Sequence, residues 1–406
     1  MPIGNPTMVQ GARARGALSA NREDTDFAKG IALLDPFESP ITSLTMSFAA
    51  ETSKTVDKHW LEDELCPETD TVNYGSGYDS SSTAIIVDNG ARFAVGDRVM
   101  HNTTREVMLV TAISSNTLTV DRDYGQAGEG WTALAGNITD GDYLTIIDNA
   151  FEQGHPLPAM RSTVEVEYKN YCQDVRTPTG WTEVNKATAM RGMEDYALQE
   201  RKKGIEHQQK LERMNLWGKP VEGDKGMYVA GTGNVNPTAA GGINHYIQEY
   251  APSNQKFDET ELTMQEFIDK LEYVFEHGTG TKWCYCPPRL RTALDTWGIS
   301  KYNTFSKEKV FGVPVARWLS SHGEVIFMTH KMLKNPQADD WLYCFFIDQD
   351  LIKWNTLRRI GTTRLRRMDP YKATGETSEK MEFQTIGCIR YGQPWVHSRL
   401  RFKTIG

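Results

Sequence analysis

The chain has 406 residues, with 45 Lys and Arg against 53 Asp and Glu, for a formal net charge of -8. That length is too great for one simple core and calls for two or three packed units, while the acidic balance disfavours general attraction to nucleic acid or to an anionic membrane. No apolar run approaches the ~20 residues needed to cross a bilayer, and the opening MPIGNPTMVQGARARG lacks the apolar centre of a secretory signal, so the protein is expected to stay where it is made.

Residues 1–45 read as an N-terminal arm. The first thirty or so are rich in Gly, Ala, Arg and Asn, include Arg13, Arg15 and Arg22, and hold almost no large apolar side chain, so a neighbouring subunit is the simplest thing to order them. LLDPFESPITSL suggests a short helix or turn, and SKTVDKHWLEDEL an extended acidic segment around Trp60. A β-module spans 71–147, with strands expected at Ala84–Val87, Arg98–Met100, Glu106–Ile113, Thr117–Val120 and Tyr143–Ile147, divided by Gly, Asn and Asp turn signals. Such short, regularly spaced strands predict a small barrel or sandwich. In STVEVEYKNYCQDVRT, Val164, Val166 and Tyr168 alternate with Thr163, Glu165 and Glu167, a second extended stretch. Segments 46–70 and 148–180 therefore form a polar hairpin that flanks an inserted module.

From Thr182 some thirty residues without Pro, dense in Ala, Glu, Lys, Gln, Arg and Met, predict a helix of roughly 45 Å. Its apolar stripe, marked by Met190, Met193 and Ala197, thins where Arg201, Lys202, Lys203, Glu206 and Lys210 crowd in, as on a strut. The glycine-rich GMYVAGTGNVNPTAAGG that follows lacks the Lys-Ser/Thr of a P-loop and the third glycine of a dinucleotide fingerprint, and reads as a mobile connector. Helix and strand patterns alternate from 258 to 355: an amphipathic helix over 262–277, a strand at Lys282–Cys286, a helix at Arg289–Trp297, and the apolar runs EVIFMTH and DWLYCFFIDQDLIKW as buried strands. Two period-2 strands close the chain, one with Met381, Phe383, Thr385, Ile389 and Tyr391 on one face, the other with Val396, Leu400 and Phe402. The fold class is α+β.

Patterns for nucleophilic, zinc and nucleotide chemistry are absent, and the chain is not expected to be an enzyme or to hold a cofactor. Cys284 and Cys286 fall on one strand face with no nearby ligands, so they read as buried thiols rather than a metal site. DRDYGQAGEGWT resembles a calcium loop through Asp121 and Asp123, but Gly125 comes one place early and Thr132 stands where the bidentate Glu belongs; a turn is expected. The strongest charge feature is the basic cluster Arg358, Arg359, Arg364, Arg366 and Arg367, read as structural pairing with acidic neighbours such as Glu376, Glu379 and Glu382, with weak phosphate contact as the alternative.

The order of arm, extended hairpin with inserted module, long helix, glycine-rich connector, compact mixed domain and returning strands resembles the major capsid proteins of tailed double-stranded DNA bacteriophages, the Hong Kong 97 type. LLDPFESPITSL, WLEDEL, VGDRV…EVMLVTAISSNTLTVDRDYG and NYCQDVRTPTGWTEVNKATAM are similar to a subgroup whose extended loop carries an extra β-domain. The resemblance implies 181–257 as spine helix and connector of a peripheral domain, 258–355 as an axial domain, and 356–406 as strands returning to the peripheral domain. It also implies a shell of pentamers and hexamers, assembled in the host bacterial cytoplasm, with a portal, a separate scaffolding protein, a decoration protein as a further candidate partner, and weak non-specific contact with packaged DNA. Candidate intersubunit residues are Arg13, Arg15, Lys54, Lys58, Trp60, Glu62, Asp63, Glu64, Glu165 and Glu167. A tail protein or a carbohydrate-binding β-protein is the alternative reading.

Overall fold

The computed structural model describes residues 39–48, 50–125, 136–156, 158, 160–188, 195–224, 236–297, 306–310, 313–333, 341–357, 366–372 and 377–406. The chain divides into two compact units, one made of the residues up to His59 with those from Lys169 onward, the other running from Trp60 to Tyr168.

Helix α1 (Pro40–Phe48) leads into strand β1 (Ala50–Ser53), and β2 (Asp57–Glu62) carries the chain into the second unit. That unit is a six-stranded antiparallel sheet of β3 (Thr69–Thr71), β4 (Ala84–Ile86), β5 (Asp97–His101), β6 (Val107–Ser114), β7 (Thr117–Asp121) and β8 (Tyr143–Asn149). The order is β3-β8-β5-β6-β7-β4, and the bridge Val72–Val87 joins the two edges, closing the sheet on itself. Closure removes exposed strand edges. Period-2 alternation turns Ile85, Val99, Met108, Val110, Leu118, Val120 and Leu144 into one apolar core. The core also holds charge: the Arg122 guanidinium donates to both oxygens of buried Glu106 at 2.6 and 2.7 Å and to the carbonyls of Asp79, Ser82 and Gly136. The described start of the calcium-like stretch, 121–125, is the end of β7 and a turn, with Asp123 at φ 54 and Arg122 reaching inward to Glu106; the rest of it lies outside the described residues.

Strand β9 (Val166–Tyr171), paired with β2, returns the chain to the first unit, where β10 (Gln173–Thr182) and the short α2 (Glu183–Ala187) precede α3 (Asp195–Trp217). The expected helix from Thr182 is interrupted: α2 ends at Ala187, Thr188 is extended, and α3 is described from Asp195, while Met190 and Met193 lie outside the described residues. Ala197 is exposed; the buried face instead carries Leu198, His207, Leu211 and Met214, with Glu212 and Asn215 among them. The helix is held by polar as well as apolar contacts, which a count of apolar residues misses.

Residues 236–242 press on the end of α3: a Cβ on Gly242 would lie 2.7 Å from the Met214 carbonyl and 2.8 Å from that of Asn215. Only glycine lets the backbones approach so closely, so the described end of the expected connector is a packed joint. Helix α4 (Ile243–Tyr250), strand β11 (Lys256–Leu262), helix α5 (Met264–Val274), strand β12 (Thr281–Cys286) and helix α6 (Pro288–Thr296) follow. Thr263 and Glu266 form a reciprocal capping box on α5, and Pro288 opens α6. Next come β13 (Ser306–Val310), β14 (Val313–Leu319), β15 (Glu324–Thr329), β16 (Leu342–Ile347), β17 (Ile352–Leu357), β18 (Arg366–Lys372), β19 (Ser378–Tyr391) and β20 (Ser398–Ile405).

Two sheets organise this unit. One has seven strands in the order β11-β20-β16-β12-β15-β14-β13; the other has the path β1-β17-β19-β10, with β18 also on β19. The run DWLYCFFIDQDLIKW is therefore two strands in different sheets, parted by a 3-10 turn at Gln349–Leu351 that Asp348 caps through the Asp350 N–H. The terminal strands likewise separate, β19 to the five-stranded sheet and β20 to the seven-stranded one, while Val396 lies in a 3-10 turn between them. Cys284, Cys286, Phe327, Phe346, Leu400 and Phe402 meet Phe267, Leu271, Leu290 and Leu294 of α5 and α6 in the main core.

Candidate functional site

The acidic extended segment is partly tied down within its own subunit. Lys58 Nζ lies 3.1 Å from Glu51 Oε2, and Lys353 is 3.2 Å from the other oxygen. Burial pushes the Glu51 carboxyl up, but hydrogen bonds from Lys58 and Lys353 outweigh it and hold it below its usual range. Trp60 is only 6% exposed; its ring stacks on Tyr168 and its Nε1 donates to Glu62 at 2.7 Å. These three side chains serve local structure. Lys54, Asp63, Glu64, Glu165 and Glu167 are solvent-exposed, while Arg13 and Arg15 lie outside the described residues.

Between these charges the same unit presents apolar side chains to water: Leu61 at 65%, Leu65 at 92%, Met160 at 90% and Val164 at 80% exposure. Single exposed apolar residues are ordinary; here several lie together on two adjoining extended segments, which Thr163 and Glu64 join by a hydrogen bond. The alternation over 163–168 contains the signal, since Val164 and Val166 share a face; burial of that face within the subunit does not follow from the pattern.

Elsewhere buried polar groups lock elements together. Glu212 of α3 is fully buried and accepts the N–H groups of Ile41 and Thr42 at 3.0 and 2.8 Å, the Thr42 hydroxyl, and Nε2 of buried His330 at 2.6 Å. A carboxylate at a helix N-terminus satisfies unpaired N–H groups and complements the helix dipole. His330 Nδ1 accepts the Met332 N–H at 3.1 Å, which puts the proton on Nε2, facing Glu212. Lys282, also buried, donates to the carbonyls of His277 and Val396 and lies 3.8 Å from Asp348; burial brings its pKa down to about 8. His207 of α3 bridges Thr177 of β10 and Thr385 of β19, and burial lowers it to about 4.

Of the basic cluster, Arg358, Arg359 and Arg364 fall outside the described residues. Arg366 and Arg367 lie on β18, opposite Gln384 and Phe383 of β19. Glu379 pairs with Lys186, and Glu376 is not described. Among the described residues no group of three or more His, Cys, Asp or Glu side chains is placed to hold a metal, and no helix is long and apolar enough to cross a membrane. An open cleft of about 860 Å³ in the barrel is lined by Tyr74, Tyr78, Asp79, Ser81, Ser82 and Asn137 among others.

A model of the SU10 major capsid protein family matches residues 9–404. Among solved structures, the chain is similar to the capsid of cyanophage P-SCSP1u, at 8% identity over 98% of this chain and 100% of that one, with a TM-score of 0.49. It is also similar to the capsid of Myoviridae phage XM1, at 6% identity over 95% and 98% with a TM-score of 0.45, and to Mycobacterium phage Bobi, at 8% over 97% and 99% with a TM-score of 0.44. A search of curated proteins found no match. The chain belongs to the SU10 major capsid protein family. It is a homo-oligomerising capsid shell protein, and its described elements form a mixed α+β architecture.

Proposed function

We propose that this capsid protein assembles in the host cytoplasm into pentamers and hexamers of an icosahedral shell around double-stranded DNA, with the extended segments flanking the barrel lapped onto a neighbouring subunit. Family membership over residues 9–404 carries the reading. Exposed Leu61, Leu65, Met160 and Val164 support the lap joint, because fully burying such a side chain contributes about 1.5–3 kcal/mol. The exposed carboxylates Asp63, Glu64, Glu165 and Glu167 add register and partner choice at the same surface. In this reading the barrel is the inserted domain, the seven-stranded sheet from β11 to β16 with β20 and helices α5 and α6 is the axial domain, and α3 with the five-stranded sheet, β17 included, is the peripheral domain. A portal and a separate scaffolding chain are the partners, with a decoration protein as a further candidate. A net charge of -8 suits an inner wall that largely ignores its cargo, and the basic cluster at 358–367 serves structure before DNA contact.

The test is negative-stain microscopy of the purified protein and of a Leu61→Asp, Val164→Asp variant. Wild type should give shells or capsomer rings; the variant should keep its circular dichroism spectrum and melting temperature but lose assembly. Unchanged shells from the variant would remove these segments from the interface. Tight duplex binding by the free subunit at physiological salt, abolished by changing Arg366 and Arg367 to Gln, would reverse the reading of the basic cluster.

A further inference from the structure

Two pairs of buried thiols are in sulfur contact, Cys172 with Cys388 at 3.4 Å and Cys284 with Cys344 at 3.2 Å. The strand register distinguishes them. On β10 and β19, Gln173 stands opposite Gly387 and Asp174 opposite Ile386, and one step further along this antiparallel register places Cys172 directly opposite Cys388. The Cys172 N–H donates to the Val56 carbonyl at 2.8 Å and so is not turned toward β19. Opposed residues that do not exchange backbone hydrogen bonds have Cα atoms about 4.5 Å apart in an antiparallel pair, a spacing within the ~4.4–6.8 Å that a disulfide spans, and here the two sulfurs already touch at 3.4 Å.

Cys284 is differently placed. Its partner across β12 and β16 is Phe346, so Cys344 lies two residues off on the diagonal. Diagonal neighbours are about 7–8 Å apart, too far to bridge without moving backbone. Cys286, which the same register sets opposite Cys344, has its thiol against the Met328 carbonyl at 3.7 Å.

We propose that Cys172 and Cys388 are a disulfide-forming pair, which on oxidation ties the junction of β9 and β10 covalently to β19. The polarity of the pair is built in: a hydrogen bond from Cys388 holds the Cys172 thiol below its ordinary range, while the same bond together with burial holds Cys388 well above. Cys172 is therefore the attacking sulfur. With a diazene oxidant, the Cys172 thiolate adds to one nitrogen, forming an S–N bond, and the other nitrogen takes a proton. Cys388 then gives up its proton and attacks Cys172 Sγ; the S–S bond forms as the S–N bond breaks, and the hydrazine leaves with both protons. The two thiols are oxidised by two electrons and the diazene is reduced by two. The biological setting, a shell leaving a reducing cytoplasm for an oxidising medium, rests on the proposed function; the sulfur geometry does not.

The experiment treats the full-length unassembled subunit with diamide under native conditions, counts thiols after denaturation, and maps linked peptides by mass spectrometry. Two of the six thiols should be lost, reversibly on reduction, with Cys172 linked to Cys388. Cys172→Ser and Cys388→Ser should each abolish the loss, and Cys284→Ser should not. No thiol loss in folded wild type, or a bridge between any other two cysteines, overturns the proposal, and the wild-type map decides even if a serine variant fails to fold. Failure of the capsid reading shows separately, as an absence of shells by microscopy whatever the thiol count.

Discussion

Replacing Glu212 by Gln tests whether the first helix is held by a buried charge. The carboxylate accepts from four donors, two backbone N–H groups and the hydroxyl of the first turn of α1 and His330 Nε2, and donates nothing. A glutamine has the same shape but turns an NH2 toward one side. If the NH2 faces α1, it opposes the N–H and hydroxyl of Thr42. If it faces His330, the ring would have to move its proton to Nδ1, which already accepts from Met332. Either way at least one buried donor pair is mismatched. Each carboxylate oxygen accepts two donors, and hydrogen bonds to a charged group contribute about 1.5–3 kcal/mol each, so turning either oxygen into an NH2 mismatches two of them. We expect a loss of about 3–5 kcal/mol, which for a unit of this size lowers the melting temperature by about 5–8 °C. Circular dichroism melting of the isolated subunit reads the loss, and hydrogen exchange over residues 39–48 should show α1 opening first. A change under about 1 kcal/mol, or unaltered protection of α1, would refute the argument that the charge holds the helix.

Acid should weaken the subunit through His207 and His397, both buried and both lowered by burial to about 4. The unfolded chain takes up these protons near pH 6.5 and the folded chain does not, so stability falls as pH drops from 6.5 toward 4, by about 3 kcal/mol for each histidine; a urea midpoint unmoved between pH 7 and 4.5 would contradict this. Glu106→Ala should leave Arg122 buried without its carboxylate and cost the barrel about 3–5 kcal/mol, seen as an earlier melting step for residues 60–168 while the other unit is unaffected; one merged, unshifted transition would count against it. Excising the barrel from Thr69 to Asn149 with a Gly/Ser bridge should leave the remaining unit folded, because the barrel has a core of its own. An insoluble product would show the two to be interdependent.

The residues alone located five of the six barrel strands and most of the two closing strands, because period-2 alternation is a local property; the three-residue β3 is too short to show a period, and Val396 lies in a 3-10 turn rather than on a strand. Val99, Met108, Val110, Leu118 and Val120 point inward as their spacing requires, and Met381 through Tyr391 do the same on β19. The order of arm, hairpin, helix and mixed domain also sufficed for the capsid family, since that order is written along the chain. Tertiary structure alone decided which sheet each strand enters. Nothing local distinguishes Leu342–Ile347 from Ile352–Leu357, yet a three-residue turn sends them to different sheets. It decided the polar anchors as well: Glu212 meets Ile41 from 171 residues away and His330 from 118, and no short-range pattern contains such a pairing. Ala197 and Val164 show the same limit from the other side. Periodicity states which side chains share a face, but whether that face is buried depends on what packs against it, and among the described residues Leu198 is covered while Val164 stays 80% exposed.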